Sequence, residues 1–213
     1  IAHDLRNYFT NILFAADMLR DPDLPVETRL RLAESIRQSG DSGVLFLQAV
    51  LDQQGQEAQG VTLTRLDARK LLVETCELLH RQAKAKDINI EIRVAEPVLV
   101  VGQHAGAIHV LQNLVSNAVK YSPPGSEVVL QAMRYGNAGR LSVLDRGPGI
   151  SKSDQARLFQ RYVRLSAQPT QGESSTGLGL ALAKQRARTM GGDLWHDVRE
   201  GGGAVFTLEL PLV

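Results

Sequence analysis

Apolar side chains in the N-terminal quarter of the chain recur every three or four residues, the spacing of an amphipathic helix. The segment 21–25 interrupts this pattern, and Pro25 suits the first turn of a second helix. Two helices cannot bury two such stripes by themselves, so the pattern predicts a helical hairpin that dimerises into a four-helix bundle. The stripes consist of Leu5, Phe9, Ile12, Ala16 and Leu19, and of Val26, Leu30, Ala33, Ile36, Gly40, Val44, Leu47 and Leu51.

After residue 60, helical and strand patterns alternate along the chain. Asp67 is the expected N-cap of the first helix, and Ser151 begins a capping-box pattern ahead of a short one. Residues 136–139 form the expected turn of a β-hairpin. The simplest arrangement is an α+β fold in which helices cover one face of a mixed sheet. The patterns predict helices over 68–86, 103–121 and 178–190, and strands over 88–94, 98–101, 127–135, 139–144, 192–198 and 204–210.

The composition is that of a folded globular chain, because 43% of the 213 residues are hydrophobic and 22% are charged. No apolar run approaches the roughly 18 residues that a membrane helix needs. A formal net charge of +1 gives no reason to expect binding to nucleic acid or to an anionic membrane. The single cysteine, Cys76, excludes an internal disulfide and fits a reducing compartment, so a cytoplasmic location is expected. Because the chain opens with Ile1, we expect a fragment whose upstream region could attach it to a membrane.

Charge is unevenly spread, and the division coincides with a polar stretch rich in Gln and Gly at residues 53–60. The part before residue 60 has five basic and nine acidic side chains, whereas the rest has nineteen basic and fourteen acidic ones. The sequence therefore predicts two domains, over 1–55 and 62–213. A net basic second domain would suit a polyanionic ligand such as a nucleotide.

The commoner phosphate-binding loops are excluded. Residues 172–177 have the glycine spacing of a Walker loop, but Leu178 and Gly179 stand where the required Lys and Ser or Thr would be. The His-Arg-Asp and Asp-Phe-Gly motifs of the protein-kinase fold are also absent from the sequence.

Three other motifs in the second domain could contact a nucleotide. Asn113 and Asn117 lie one turn apart on a predicted helix, and the amide oxygen of Asn117 could bind Mg²⁺. Asp145 ends a predicted strand before two glycines and could accept a hydrogen bond from an exocyclic amine. Residues 177–179, Gly-Leu-Gly, open a helix and expose backbone amides to an anion. Each motif alone also has an ordinary explanation, as a polar helix surface, a turn or a common glycine pair.

Taken in order, these motifs resemble the N box and the glycine boxes of the GHKL (Bergerat-type) ATPase superfamily, with its Phe-rich box between them. With His3, Asp4 and Asn7 ahead of them, the chain resembles the catalytic core of a two-component sensor histidine kinase. The resemblance implies an α/β sandwich that binds ATP over 62–213, and a dimerisation and histidine phosphotransfer domain over 1–55.

The resemblance implies a role for each matching residue. His3 would accept the phosphoryl group, with Asp4 as its acid–base partner and Asn7 positioning a water that dephosphorylates a partner. Asn117 would bind Mg²⁺, and Asp145 would accept the adenine amine. Asn113, Lys120, Gly177, Leu178 and Gly179 would contact the phosphates, and Tyr121 would lie beside the nucleotide. Gly147 and Gly149 would lie around adenine. Phe159, Tyr162 and Arg164 would belong to the Phe-rich box, with Arg164 at the γ-phosphate, and residues 160–176 would form the lid.

The implied activity is that of an ATP-dependent protein-histidine kinase. It would phosphorylate His3, pass the phosphate to an Asp of a response-regulator receiver domain, and through Asn7 act as a phosphatase for that regulator. Hydrolytic superfamily members carry Glu one turn before the metal-binding Asn, whereas this chain has Asn113, so we expect slow ATP hydrolysis. Two alternatives stay open: a pseudokinase or adaptor, and a histidine phosphotransferase that does not use ATP as its donor.

Three positions depart from the resemblance. Tyr8 stands where Pro is usual after the His box, so a straighter first helix is expected. Tyr162 replaces a common Phe, and Ser174 and Ser175 precede the second glycine box where glycine is frequent. None of these changes removes a group that the chemistry requires.

Overall fold

The computed structural model describes residues 2–58, 62–161, 163, 165–170 and 177–213. The chain divides into two units, Ile1–Gly60 and Val61–Val213. The first unit consists of two helices that pack on each other, α1 (Ala2–Met18) and α2 (Val26–Ala58). Both predicted helices are confirmed. α2 continues to Ala58, and it therefore takes up most of the polar stretch that was interpreted as the domain boundary.

Small residues lie where α1 and α2 approach each other. Gly43 is buried, and a β-carbon at that position would lie 3.7 Å from the β-carbon of Tyr8. Ala15 of α1 is likewise buried. Larger apolar side chains of both helices are exposed, so the contact inside this unit leaves much apolar surface uncovered.

The second unit contains seven strands and four helices within its described residues. In chain order they are β1 (Thr64–Asp67), α3 (Ala68–Ala85), β2 (Asn89–Arg93), β3 (Leu99–Gly102), α4 (His104–Tyr121), β4 (Glu127–Tyr135), β5 (Ala138–Leu144), α5 (Lys152–Gln155), α6 (Gly179–Thr189), β6 (Asp193–Val198) and β7 (Ala204–Pro211). Every predicted helix and strand is present, with bounds shifted by a few residues at most. β1 was not predicted, because only Leu66 among its four residues is buried.

Five strands form a mixed sheet in the order β2-β4-β5-β7-β6. β2 pairs with β4 in parallel, and the other neighbours pair antiparallel, which confirms the predicted mixed sheet. β1 and β3 form a separate antiparallel pair. This pair packs on the main sheet at Gly139, where a β-carbon would lie 2.4 Å from Cγ1 of Val100, so that position has no room for a side chain.

The core lies between one face of the five-stranded sheet and the helices α3, α4 and α6. Alternate strand residues point to this face because successive side chains of a strand alternate in direction. On the opposite face the hydroxyls of Ser142 and Thr207 are hydrogen-bonded at 2.9 Å, and Arg140 donates to Glu209 at 2.7 Å. The largest buried core side chains include Leu71, Leu72, Leu111, Leu114, Leu130, Leu141, Leu194 and Leu208.

Two helix caps form at the residues that the sequence predicts. The Asp67 carboxylate accepts from the amides of Arg69 and Lys70 and so caps α3. Ser151 Oγ accepts from the amide of Asp154 at 3.2 Å at the start of α5. Within the described ranges, none of the helices combines the length and the apolar character needed to cross a bilayer.

Candidate nucleotide-binding site

Helix α4 carries the N-box residues on its half-buried side. Its opposite side is apolar and packs into the core, which fixes how the helix is rotated. Nδ2 of Asn117 donates to Oδ1 of Asn113 at 3.3 Å, so the two asparagines share one face as predicted. The bond engages the amide nitrogen of Asn117, and its Oδ1, an oxygen that Mg²⁺ could bind, takes no part in it.

The start of α6 lies directly against the N box. A β-carbon on Gly179 would lie 2.1 Å from Nδ2 of Asn113, so any side chain at this position would displace the Asn113 amide. Leu178, the N-cap residue, is buried, and Gly177 has a φ of +67°. Glycine at position 179 therefore lets the backbone at the helix start approach the asparagine that would contact phosphate.

Asp145 follows β5 and is only 5% exposed. Oδ1 of its carboxylate accepts two backbone hydrogen bonds, from Gly147 at 2.8 Å and from Ala204 at 3.0 Å. Among the described residues, both hydrogen bonds to this carboxylate end on Oδ1. Oδ2 is consequently the oxygen that could accept a donor from a ligand.

The electrostatic state of Asp145 reflects opposing influences. Burial raises the pKa of this carboxyl above its usual value. The backbone amides of Ala204 and Gly147 and the charges of Arg199 and His196 oppose that rise, because each stabilises the ionised form. Asp145 is thus a desolvated carboxylate that the surrounding donors hold in place.

The turn after β5 contacts the C-terminal end of α4. A β-carbon on Gly147 would lie 3.0 Å from the carbonyl oxygen of Tyr121 and 3.2 Å from Oδ1 of Asp145. The amide of Arg146 donates to Ser122 Oγ at 3.3 Å. Gly149 adopts a φ of +74°, the left-handed region that favours glycine. The N box and the first glycine box therefore meet at this end of α4.

Residue Thr170 connects the predicted lid segment to the same end of α4. Its amide donates to the Lys120 carbonyl at 3.1 Å, and its hydroxyl lies 3.2 Å from that oxygen and 3.1 Å from the Ser122 carbonyl. Nζ of Lys86, a side chain that is 3% exposed, also donates to the Lys120 carbonyl, at 2.5 Å. This α4 carbonyl is thus a shared acceptor for donors from the predicted lid segment and from the end of α3.

A second attachment of the predicted lid segment was missed by sequence reasoning. The buried carboxylate of Asp154 accepts from the amide of Ser166 at 3.0 Å, from its hydroxyl, and from Arg157 at 3.0 Å. These donors hold the pKa of Asp154 well below its usual range. The sequence showed Asp154 only as a member of a capping-box pattern, and no local signal pairs it with a residue twelve positions later.

Some predicted site residues cannot be placed. Tyr162, Arg164 and residues 171–176 lie outside the described residues. His3 and Asp4 belong to the backbone of α1, but their side chains lie outside the described part of the structure. Asn7 is exposed on α1, one turn beyond His3. Phe159 is partly buried, and Nζ of Lys184 lies 4.6 Å from its ring centroid.

The described residues of the second unit do not supply a metal site of their own. In the ranges that the structure covers, no group of three or more His, Cys, Asp or Glu side chains could hold an ion. A cation beside Asn117 would therefore take most of its oxygen ligands from phosphates and water, as Mg²⁺ does in nucleotide sites.

Residues 102–213 match the model of the family described as histidine kinase-, DNA gyrase B-, and HSP90-like ATPase. The chain belongs to this family. The matched region contains the N-box asparagines, the turn after Asp145 and the glycines that open α6, so the predicted resemblance is confirmed.

Full-length relatives and solved structures extend this similarity. The sensor-like histidine kinase SenX3 of Mycobacterium tuberculosis is 33% identical over 217 residues, which cover 93% of this chain and 53% of the relative. The chain thus spans about half the length of the mycobacterial SenX3 proteins that it matches.

Two solved structures resemble the chain over nearly its whole length. Full-length ShkA in complex with AMPPNP is 29% identical, with a TM-score of 0.68 over 99% of this chain and 44% of that one. The histidine kinase ThkA in complex with the response regulator protein TrrA is 21% identical, with a TM-score of 0.71 over 100% of this chain and 60% of that one. At this identity the likeness to ThkA shows the fold alone.

Proposed function

We propose that this chain is the catalytic core of a sensor histidine kinase, which binds ATP in its second unit and transfers the γ-phosphoryl group to His3. The observation that carries this proposal is the convergence of three motifs on α4. Gly179 abuts Asn113, Gly147 abuts the Tyr121 carbonyl, and Asp145 offers a buried acceptor beside that turn. Such a set would provide both a phosphate end and an adenine end for one nucleotide.

Each end of the nucleotide would have its own partners. Oδ2 of Asp145 would accept the adenine amine, and Gly147 and Gly149 would shape the pocket around the ring. Asn113, Lys120 and the backbone of residues 177–179 would contact the phosphates. Arg164 would neutralise charge at the γ-phosphate. ATP binding by the family and the AMPPNP in the ShkA structure support this assignment.

Mg²⁺ fits this site, because Asn117 supplies one neutral amide oxygen and the phosphates of the nucleotide, with water, would supply its other oxygen ligands. When bound, Mg²⁺ would offset the negative charge of the phosphates. The chain's own residues would then hold the nucleotide, through Asn117 and its hydrogen-bonded neighbour Asn113.

Phosphoryl transfer requires positioning and charge neutralisation more than covalent help from the protein. In the proposed step a ring nitrogen of His3 attacks the γ-phosphorus, the bond to the β–γ bridging oxygen breaks, and ADP leaves. A neutral imidazole is a competent nucleophile near neutral pH when its other nitrogen is oriented. Asp4 would accept the N–H of that other nitrogen and stabilise the positive charge that develops.

The site would be a poor ATP hydrolase. Asn113 occupies the position one turn before Asn117, and its amide cannot remove a proton from an attacking water. The His3→Ala chain should therefore release inorganic phosphate slowly even when saturated with ATP. Rapid release by that variant would contradict this part of the proposal.

The first unit would dimerise to form a four-helix bundle. Phe9, Leu13 and Phe14 of α1 and Leu30 and Val44 of α2 are each more than half exposed. A second copy of the chain would cover these side chains, because a bundle of four helices can bury apolar stripes that two cannot. Static light scattering should give a mass twice that of one chain, whereas a monomeric mass at all concentrations would contradict the dimer.

The partner would be the receiver domain of a response regulator, whose Asp takes the phosphate from His3. The solved complex of ThkA with the response regulator protein TrrA supports this assignment. In a separate phosphatase reaction, Asn7 would position a water that attacks the phospho-Asp of the regulator and releases inorganic phosphate. An Asn7→Ala chain that dephosphorylates the regulator at the parent's rate would remove that role.

The deciding experiment is incubation with γ-labelled ATP and Mg²⁺, followed by a test for an acid-labile phosphoryl group on the protein. The parent and a His104→Ala control, which changes a surface histidine bonded to Glu74, should be labelled, and His3→Ala should not. No labelling of the parent would favour an adaptor. Labelling that requires a phosphorylated receiver instead of ATP would favour a histidine phosphotransferase.

A further inference from the structure

A buried arginine lies behind the residue that would recognise adenine. Arg199, in the turn between β6 and β7, is 8% exposed. Its Nη1 donates to the backbone carbonyl of Asp145 at 2.9 Å, although 54 residues separate the two in sequence. Its Nη2 lies 3.9 Å from Oε2 of Glu127, beyond hydrogen-bonding distance.

Burying a guanidinium is unfavourable unless nearby groups compensate its charge. Burial lowers the pKa of Arg199, and the charges of Glu127 and Asp145 oppose that change. The charge of Arg199 in turn lowers the pKa of Asp145. The two residues are therefore coupled through space in addition to the hydrogen bond to the backbone.

We infer that Arg199 is a positioning residue for nucleotide recognition, whose guanidinium holds the Asp145 backbone and places a positive charge near the carboxylate that would accept the adenine amine. This inference rests on the proposed function, since it concerns the same site. It assigns Arg199 no contact with the nucleotide, because its hydrogen bond goes to the Asp145 backbone.

Two other titratable side chains, His196 and Arg146, lie near Asp145 and also affect the charges around it. His196 of β6 packs its ring against Phe206 with centroids 5.4 Å apart, and its buried Nε2 has no hydrogen-bond partner among the described residues. Burial lowers the pKa of His196 and so disfavours the charged imidazole that would stabilise ionised Asp145. Arg146 lies next to Asp145 in the chain, and repulsion between its positive charge and that of Arg199 lowers the pKa of Arg199.

A purely structural role for Arg199 makes a different prediction. The turn is also closed by backbone hydrogen bonds, from Gly202 to the Arg199 carbonyl at 3.1 Å and from Arg199 to the Gly203 carbonyl at 3.3 Å. These bonds do not need the side chain. If the guanidinium only filled space, an apolar side chain of similar length would leave the titration of Asp145 unchanged.

The test compares the full chain with Arg199→Met, Arg199→Lys and Arg140→Met. Arg140 is the matched control, because it is partly buried and bonded to Glu209 on the far face of the sheet. For each protein, the carboxyl titration of Asp145 is followed by NMR without nucleotide, and the affinity for AMPPNP with Mg²⁺ is measured against pH.

Arg199→Met should weaken AMPPNP binding about tenfold and move the Asp145 midpoint upward, because a neighbouring cation no longer favours the ionised form. Arg199→Lys should restore much of the midpoint, and Arg140→Met should match the parent. An unchanged Asp145 midpoint in Arg199→Met would overturn the inference, even if binding weakened. If the parent failed to bind AMPPNP, the proposed function would fail, while the titration would still test the role of Arg199.

Discussion

A β-carbon on Gly203 would lie 2.1 Å from the carbonyl oxygen of Asp145. Gly203 also has a φ of +106°, which side-chain-bearing residues rarely adopt. The backbone of the turn before β7 therefore packs directly on the backbone of the residue that would recognise adenine. Two separate requirements, close approach and a left-handed backbone, make glycine necessary at this position.

Gly203→Ala should destabilise the protein more than Gly202→Ala. Gly202 has a φ of +97° but no atom within 4 Å of the position its β-carbon would take, so alanine there should cost about 1 kcal/mol from backbone strain alone. Gly203→Ala adds a steric clash that should cost about 1–3 kcal/mol more. Urea unfolding of both variants measures the difference, and equal losses would show that the turn relaxes without disturbing Asp145.

Gly179→Ala should weaken nucleotide binding with little loss of stability. The new methyl group would displace the Asn113 side chain and with it the hydrogen bond that orients Asn117. We expect about a tenfold loss of affinity for AMPPNP with Mg²⁺, the order observed when the support of a metal ligand is removed. Calorimetry provides the measurement.

The matched control for this substitution is Gly40→Ala. Gly40 lies in α2 and has nothing within 4 Å of its missing β-carbon. Because alanine favours helix more than glycine does, this variant should gain up to about 1 kcal/mol of stability and keep the parent's affinity. Parent-like binding by Gly179→Ala would argue against the contact between the N box and the start of α6.

Asp145→Asn should separate folding from recognition. The amide oxygen of asparagine can still accept from Gly147 and Ala204, whereas its nitrogen would replace Oδ2 and face the adenine amine with a donor. Affinity for AMPPNP should fall by about 2 kcal/mol, with a small change in melting temperature.

The pH dependence of binding gives an independent check on Asp145. Only the ionised carboxylate accepts the amine fully, so the parent's affinity should fall as the pH drops through the pKa of Asp145. Because burial raises that pKa, the fall should begin at a higher pH than for an exposed aspartate. The asparagine variant has no such group and should lack this step, and an identical step in both proteins would assign it elsewhere.

Asp154→Ala should release the attachment of residue Ser166. The Ser166 amide donates to Asp154, so its hydrogen exchange should be slow in the parent and faster in the variant. Because the pKa of Asp154 is lower than that of an ordinary aspartate, the carboxylate stays ionised and holds Ser166 at any pH above the usual aspartate pKa. The attachment should be lost only as the pH falls below that usual value. Exchange measured by NMR should show the effect.

Ser153→Ala is the control for that experiment, since it removes a hydroxyl of the same short helix that contacts Ser151. It should leave exchange at Ser166 as in the parent. Equal exchange in Asp154→Ala and the parent would mean that this hydrogen bond does not restrain the segment.

Local features of this protein could be predicted from its sequence because they depend on neighbouring residues. Helical and strand periodicity, the caps at Asp67 and Ser151, and the break at Pro25 are all encoded within a few positions. The hairpin turn was also predicted, although it consists of residues 136–137 only, because Ala138 and Gly139 already pair in β5. The family could also be predicted, because the order and spacing of its motifs survive in the sequence.

Contacts between distant segments were decided only by the tertiary structure. The four residues of β1 have too weak a pattern to indicate a strand. β1 forms because it pairs with β3, and α3 and β2 separate these two strands in the sequence. The Arg199 bond to Asp145, the Thr170 bond to Lys120 and the Ser166 bond to Asp154 likewise join residues whose sequence neighbours carry no sign of the partner. Such contacts depend on how the sheet and helices pack, whereas periodicity reports only which face of an element is buried.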